Sequence, residues 1–293
     1  MKPAPFALHE PTTVAEAAGL LAEHGDDAKP LAGGQSLVPM LALRLTRFDH
    51  LVDLNGIAAL QAITVDNGTL RIGAGTRQAT VGSDENIARD APLLTRATPL
   101  IGHFQIRNRG TIGGSIAHAD PASEYPAVAL ALDAQMEVAS STDTRLVPAA
   151  DFFTGTWMTA IENDELLTAI LVPRPATQRR GVAIEEVARR HGDFALAGAV
   201  AVIDTGGDGT VQAAAIAMFG MGSTAVRAPD AEHALVGRAP TASHISEVAQ
   251  LATRNTDPPD DVHASAEYRR RVATHLVARV VTSALQEATG AAG

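Results

Sequence analysis

The sequence predicts an α+β protein, and three observations support this class. The first third alternates between amphipathic helical segments and short apolar segments typical of strands. Beyond residue 181, three apolar strand segments follow one another without an intervening helical pattern. Two long helical segments then close the chain. Strands and helices that are segregated along the chain are typical of α+β folds.

The first third predicts a compact β-α-β-like unit that ends near residues 55–56. Residues 13–24 carry apolar side chains at helical spacing, and Gly25 follows as a stop signal. A short apolar run at 30–32 leads into two glycines, after which Ser36 can cap a helix over residues 37–45. Residues 51–54 have the composition of a strand.

The middle of the chain predicts a hairpin followed by helical segments. Residues 62–65 and 69–72 flank Asp66-Asn67-Gly68, which is a strong hairpin signal. A helical stretch is predicted through residues 87–101, a second helix over 126–132, and a strand over 135–139.

A segment at 177–181, which follows two prolines, marks a predicted domain boundary. Beyond it we predict a three-stranded antiparallel sheet from residues 181–187, 195–203 and 211–219, and helices over 241–254 and 266–288. The last helix is expected to have an arginine-rich outer face and to place these residues inward: Ala266, Val272, Leu276, Val280 and Leu285.

The composition excludes several classes of function. The chain has 293 residues, 33 acidic and 23 basic, with a net charge of −10, which argues against a nucleic-acid or anionic-membrane partner. It has no cysteine, so it cannot hold an iron–sulfur cluster, a thiolate zinc site or a disulfide. No apolar run reaches the length of a membrane span, and we expect a cytoplasmic protein. The histidines show no metal-ligand spacing, so no metal site is predicted.

Two glycine segments are candidates for ligand binding. They are Leu31-Ala32-Gly33-Gly34-Gln35-Ser36-Leu37 and Thr111-Ile112-Gly113-Gly114-Ser115-Ile116-Ala117. Glycine lets the backbone approach a ligand closely, and successive N–H groups in such a turn form a concave anion site. Two such segments could together hold a diphosphate without lysine. The alternative is that each glycine pair only makes a turn.

The flanks of the second segment are rich in polar side chains. Asp120 and Glu124 could accept hydrogen bonds from ribose or ribityl hydroxyls. Alternatively, Asp120-Pro121 opens a turn, and Ser123 or Glu124 caps the following helix. Ser115 and His118 also give a weak likeness to the serine nucleophile of a hydrolase. A turn at 189–195 either is solvated or faces a cofactor or partner chain.

These segments resemble the FAD-binding medium subunit of molybdenum hydroxylases of the aerobic carbon monoxide dehydrogenase and xanthine dehydrogenase type. The resemblance is carried by LAGGQSL at 31–37 and RNRGTIGGSIAHADPASEYPAVALALDA at 107–134, with later segments at 151–173, 188–202 and 265–277. It implies a two-part FAD-binding domain of the vanillyl-alcohol-oxidase type, at 1–56 and 57–176, followed by a smaller α+β domain at 177–293.

The resemblance also implies a set of FAD contacts and no catalytic or metal-binding residue in this chain. Ile184 departs from the family pattern, because relatives often carry an aromatic residue there that shields the flavin ring; Phe104 and Trp157 are the substitutes we consider. The implied cofactor-binding residues are Ala32, Gly33, Gly34, Gln35, Ser36, Leu37, Ile101, Thr111, Gly113, Gly114, Ser115, Asp120, Glu124 and Leu167.

The implied function is electron transfer within a larger enzyme. A large subunit with a molybdopterin cofactor would oxidise the substrate, which could be carbon monoxide, a purine, an aldehyde or an N-heterocycle. A small subunit with two [2Fe–2S] clusters would pass electrons to the FAD of this chain, and thence to a quinone, NAD or oxygen. The expected assembly is a dimer of heterotrimers. The alternatives are a scaffold protein with a vestigial flavin site or a serine hydrolase.

Overall fold

The computed structural model describes residues 2–177 and 179–290, so Gln178 of the predicted boundary segment lies outside the described residues. Three main sheets follow one another along the chain, with three, five and four strands. Mixed helix and strand content confirms the predicted α+β class. Within the described ranges, no helix combines the length and the apolar composition needed to cross a membrane.

The first sheet contains three parallel strands. Its unit comprises β1 (Ala7–His9), α1 (Val14–His24), β2 (Ala28–Leu31), α2 (Leu37–Ala42) and β3 (His50–Asp53). The strand order is β1-β3-β2, and α1 buries Ala17, Ala18 and Leu21 within the apolar core of this unit. The predicted α2 is too long, because the chain turns at Arg44, whose φ is 57°. Ser36 stands at its start but makes no side-chain capping bond.

The second sheet is antiparallel, with the order β4-β5-β10-β6-β7. The hairpin predicted at residues 66–68 joins β4 to β5. The elements of this unit are β4 (Ile63–Asp66), β5 (Thr69–Gly73), α3 (Gln78–Val81), α4 (Glu85–Asp90), α5 (Pro92–Ala97), α6 (Phe104–Arg107), α7 (Ile112–His118), α8 (Glu124–Ala131), β6 (Gln135–Ala139), β7 (Thr144–Pro148), α9 (Ala149–Phe152), β8 (Phe153–Gly155), β9 (Met158–Thr159) and β10 (Leu166–Pro173).

The prediction of a single helical stretch through residues 87–101 is wrong, because this region forms α4, α5 and a short 3-10 turn. Pro92 stands in the first turn of α5 and Pro99 in the 3-10 turn. Proline lacks an N–H donor and restricts the residue before it, so it starts a new helical segment more readily than it continues one.

The third sheet has four antiparallel strands, one more than predicted. Its order is β11-β12-β13-β14, and the added strand is only two residues long. Every residue of β12 is buried, because α12 covers one face of the sheet and α8 packs on the other. The elements are β11 (Arg180–Ala188), β12 (Ala195–Thr205), β13 (Val211–Phe219), β14 (Val226–Arg227), α10 (Pro229–Leu235), α11 (Ala242–Thr253) and α12 (Ala266–Thr289).

The buried stripe of α12 differs from the predicted one. Leu276 and Val280 are buried as expected, but three others of the predicted set are only partly buried: Ala266, Val272 and Leu285. Small residues such as Ala273 and Ala284 occupy the stripe instead, which lets the helix approach the sheet closely. Arg269 is buried as well and donates to Leu196 O at 2.6 Å, so the outer face is not uniformly arginine-rich.

Candidate functional site

The first glycine segment follows β2 at the carboxyl edge of the parallel sheet. Gly34 has a φ of 70°, a left-handed conformation that glycine adopts without steric cost. The N–H groups of residues 33–37 find no acceptor within the described part of the chain. The Gln35 side chain donates to Gly33 O at 3.0 Å and holds the turn. A row of free N–H groups in a tight turn is an arrangement that binds phosphate.

The second glycine segment forms the first turn of α7, and its N–H groups are already used. Gly114 N donates to Thr111 Oγ1 at 3.0 Å, and Gly113 N donates to Ala74 O at 2.9 Å. The expectation that both segments offer free N–H groups is therefore wrong for the second one. Its glycines serve close packing, because a Cβ atom on Gly113 would lie 2.6 Å from Ala74 O.

The two glycine segments lie against each other in space. A Cβ atom on Gly33 would lie 2.6 Å from Gly110 Cα, and one on Gly114 would lie 3.4 Å from Ala32 Cβ. Segments separated by some 80 residues in sequence are therefore neighbours in the fold.

Asn55 and Arg77 connect the two segments, and the sequence analysis did not single them out as site residues. Asn55 Nδ2 donates to Ala32 O at 3.0 Å, and its Oδ1 accepts from Arg77 Nη2 at 2.8 Å. Arg77 Nη1 donates to the backbone carbonyl of Arg109. The Asn-Gly pair at 55–56 signals a turn, but no sequence pattern reveals this long-range connection.

Asp120 forms the predicted turn. Its Oδ1 accepts from Ala122 N at 2.9 Å, and its Oδ2 accepts from Trp157 Nε1 at 3.2 Å. Trp157 is 63% exposed, and its ring centroid lies 6.4 Å from that of His118. Burial lowers the pKa of His118 below its ordinary value. Phe104, the other aromatic residue considered as a flavin shield, is also exposed.

Two carboxyl groups, the buried Glu124 and the half-buried Glu186, lie close enough for their charges to interact between the second and third units. Glu124 begins α8, and burial, reinforced by the negative charge of Glu186, raises its pKa to about 8. Glu186 lies on β11, where burial raises its pKa to about 7. Its Oε2 has no hydrogen-bond partner among the described residues. Ile184 lies two residues earlier in β11 and packs against the core of the second unit.

Glu124→Gln is expected to flatten the dependence of stability on pH. In the cofactor-free chain, a carboxyl whose folded pKa is raised stabilises the fold at low pH. That contribution is lost as the pH rises from 4.5 to about 8. Over this range the unfolding free energy of the wild type should therefore fall more steeply with pH than that of the variant. The two slopes should differ by about 1 kcal/mol per pH unit.

Urea denaturation across this pH range measures the effect. Glu267→Gln, on the exposed first turn of α12, is the matched control and should keep the wild-type slope. Equal slopes for wild type and Glu124→Gln would show that Glu124 is ionised in the folded chain.

The remaining candidates, Ile101 and Leu167, lie in different parts of the second unit. Ile101 O and Gly102 O accept from Arg107 Nη1 at 3.0 and 2.9 Å, which fixes that loop. A Cβ on Gly192 would lie 2.9 Å from the Gly102 carbonyl carbon, so the turn at 189–195 packs against the second unit. Leu167 lies in β10 and is 6% exposed.

The hydrolase arrangement is not formed by the residues that the structure describes. Ser115 and His118 both lie on α7, and no hydrogen bond joins their side chains. The residue before α7, Thr111, makes only a single bridge with Arg77, whereas a nucleophile elbow needs a strand leading into the serine.

Known protein families and solved structures match this chain over nearly its whole length. Residues 4–175 match the family of the FAD binding domain in molybdopterin dehydrogenase, and residues 182–284 match that of the CO dehydrogenase flavoprotein C-terminal domain. The chain is 40% identical, over 98% of its length and 97% of the relative, to subunit alpha of the 6-hydroxypseudooxynicotine dehydrogenase complex of Paenarthrobacter nicotinovorans. It is 38% identical to the carbon monoxide dehydrogenase medium chain of Hydrogenophaga pseudoflava, over 97% of this chain and 98% of that one.

Solved structures agree over the same length. Carbon monoxide dehydrogenase from Hydrogenophaga pseudoflava matches with a TM-score of 0.95 and 39% identity, covering 98% of this chain and 99% of that chain. Quinoline 2-oxidoreductase from Pseudomonas putida 86 matches with a TM-score of 0.93 and 37% identity, covering 99% of this chain and 100% of that chain. The chain therefore belongs to the family of FAD-binding medium subunits of molybdenum hydroxylases, the oxidoreductases that include carbon monoxide dehydrogenase and xanthine dehydrogenase.

Proposed function

We propose that this chain is the electron-transfer subunit of a three-subunit molybdenum hydroxylase. It receives electrons from the [2Fe–2S] clusters of a small partner and delivers them to an external acceptor, while a large partner oxidises the substrate at molybdenum. The observation that carries this proposal is the full-length match to medium chains of such enzymes, combined with the row of free N–H groups at 33–37. The complete absence of cysteine requires that the clusters belong to another chain.

The residues around the glycine segments suit FAD. Free backbone donors bind the diphosphate without lysine, of which the chain has only Lys2 and Lys29. Bound FAD supplies the ability to accept electrons singly and release them as a pair. We propose that residues 32–37 hold the diphosphate from one side and residues 111–115 from the other. Glu124 in its protonated form would donate to a cofactor acceptor. We propose further contacts from Ile101, Asp120 and Leu167.

We also propose three domains, at 1–56, 57–176 and 177–293. Each of the three main sheets falls within one of these ranges, which supports the limits. The assembly we propose is a dimer of heterotrimers, and the mass of the purified complex in solution tests it.

Arg77→Met is expected to weaken FAD binding about tenfold, which corresponds to about 1.4 kcal/mol. The change removes the two hydrogen bonds that hold Asn55 and the Arg109 carbonyl, so the two glycine segments remain in contact but are no longer joined through Arg77. FAD titration of the flavin-free chain measures the dissociation constant.

Arg47→Met is the control for this change, because the Arg47 side chain is 71% exposed and pairs with the nearby Asp49. It should leave FAD affinity unchanged. Equal affinities for Arg77→Met and wild type would show that the connection does not organise the cofactor site.

The proposed function is tested by purifying the chain from its own cells through an affinity tag. We expect one FAD per chain, two co-purifying chains that carry molybdenum and iron, and bleaching of the flavin when the substrate of the large partner is added. A flavin-free complex that keeps full activity would favour the scaffold alternative, and a flavoprotein that purifies without partners would contradict the assembly.

A further inference from the structure

Three histidines that are distant in sequence meet in the first unit. His9 ends β1, His24 ends α1 and His50 begins β3. His9 Nε2 and His50 Nδ1 are 2.9 Å apart, and the rings of His24 and His50 stack with their centroids 3.7 Å apart. One ring nitrogen from each residue lies within 4.8 Å of the other two, and all three residues are half-buried.

The parallel sheet explains why they converge. Ala7 pairs with His50, so His9, two residues later, points to the same face of the sheet. Helix α1 crosses that face, with Ala17, Ala18 and Leu21 buried, and returns towards the amino ends of the strands, where it finishes at His24. The glycine segment at 33–37 follows β2 at the opposite, carboxyl edge. The histidine cluster is therefore separate from the proposed FAD site and does not depend on it.

Imidazole nitrogen is a ligand suited to zinc, copper and nickel ions. Zinc binds histidine at about 2.0–2.1 Å, which places ligand nitrogens roughly 3.3 Å apart around a tetrahedral ion. The His9 and His50 nitrogens are 2.9 Å apart, and the three ligand nitrogens lie within 4.8 Å of one another, so rotation of the rings out of their stack can bring them to this spacing. Water supplies the fourth position. The sequence predicts no metal site because the spacing of these residues follows no metal-ligand motif, and only the fold brings them together.

We propose that His9, His24 and His50 form a binding site for one divalent transition-metal ion of the zinc class, which crosslinks β1, α1 and β3. A bound ion would stabilise the folded state, because the unfolded chain does not hold the three ligands together. Hard cations such as magnesium, which prefer oxygen ligands, would not compete.

Titration of the full-length, chelator-treated chain with zinc tests the proposal. We expect the chain to bind one zinc ion and its thermal midpoint to rise on binding. Excess magnesium should change neither the zinc stoichiometry nor the thermal midpoint. His24→Asn and His50→Asn should each weaken zinc binding by at least about tenfold. His275→Asn, on the exposed face of α12, is the matched control and should bind zinc as wild type does.

Copper(II) bound to the wild-type chain gives a second measurement that needs no variant. Its electron paramagnetic resonance spectrum should show hyperfine coupling to three imidazole nitrogens. A wild-type chain that binds no zinc, or zinc binding that survives both substitutions, would overturn the proposal, as would a copper spectrum with a single nitrogen ligand.

Discussion

Replacing Gly33 with alanine is expected to leave the purified chain without FAD. The added Cβ would overlap the carbonyl of Arg109 and lie 2.6 Å from Gly110 Cα. Both neighbours are backbone atoms, so relief requires the two glycine segments to separate. Overpacking of this kind costs up to about 3 kcal/mol, and if the cost falls on binding, FAD affinity drops roughly a hundredfold. Flavin absorbance per chain after gel filtration measures retention.

Gly19→Ala provides the control for Gly33→Ala. Gly19 lies within α1, and a Cβ there would meet no atom within 4 Å. This change should keep FAD and stabilise the chain by about 0.5–1 kcal/mol, since alanine is the better helix former. Full FAD retention by Gly33→Ala would mean that the contact between the two segments is not needed for binding.

Gly181→Ala is expected to cause the largest loss of stability, about 3 kcal/mol. Gly181 lies on β11 where α12 crosses it, and an added Cβ would overlap Ala284 O and lie 2.7 Å from Ala288 N. The helix would have to move away from the sheet, which would loosen contacts along the buried stripe of α12. Urea denaturation of the cofactor-free chain gives the free energy of unfolding.

Gly207→Ala is the matched glycine substitution in the same unit. Gly207 lies in the turn between β12 and β13, where a Cβ would have open space. Its unfolding free energy should stay within about 0.5 kcal/mol of wild type. If Gly181→Ala were equally mild, the close approach of α12 to β11 would not contribute to stability.

The sequence predicts the strands better than the short helices, and the reason is physical. Continuous apolar runs with glycine turns define β13, which matches its predicted bounds of 211–219, and the alternation at 135–139 defines β6. The segment 76–107 instead breaks into several one- or two-turn helices. Their limits depend on local caps, such as the Asp84 side chain that accepts from Asn86 N, and on tertiary packing that no periodicity reveals.

The candidate site was partly visible in the sequence. Glycine pairs followed by small polar residues indicate both segments, because glycine allows close approach of the backbone. The different roles of the two pairs are not visible in the sequence, because the N–H groups of Ile112 and Gly113 are bonded to a segment some 40 residues away. The same holds for Arg77, whose partners come from two other segments.

Strand β12 has a consequence for how the cofactor can enter and leave. Its alternate side chains belong to two different apolar layers: Val200 and Val202 face the interior of the second unit, while Ala201 and Ile203 face α11 and α12. Moving the third sheet away from the second unit would expose the apolar side chains on its inner face to water. We therefore expect the third sheet to stay packed against the second unit when the cofactor binds or leaves.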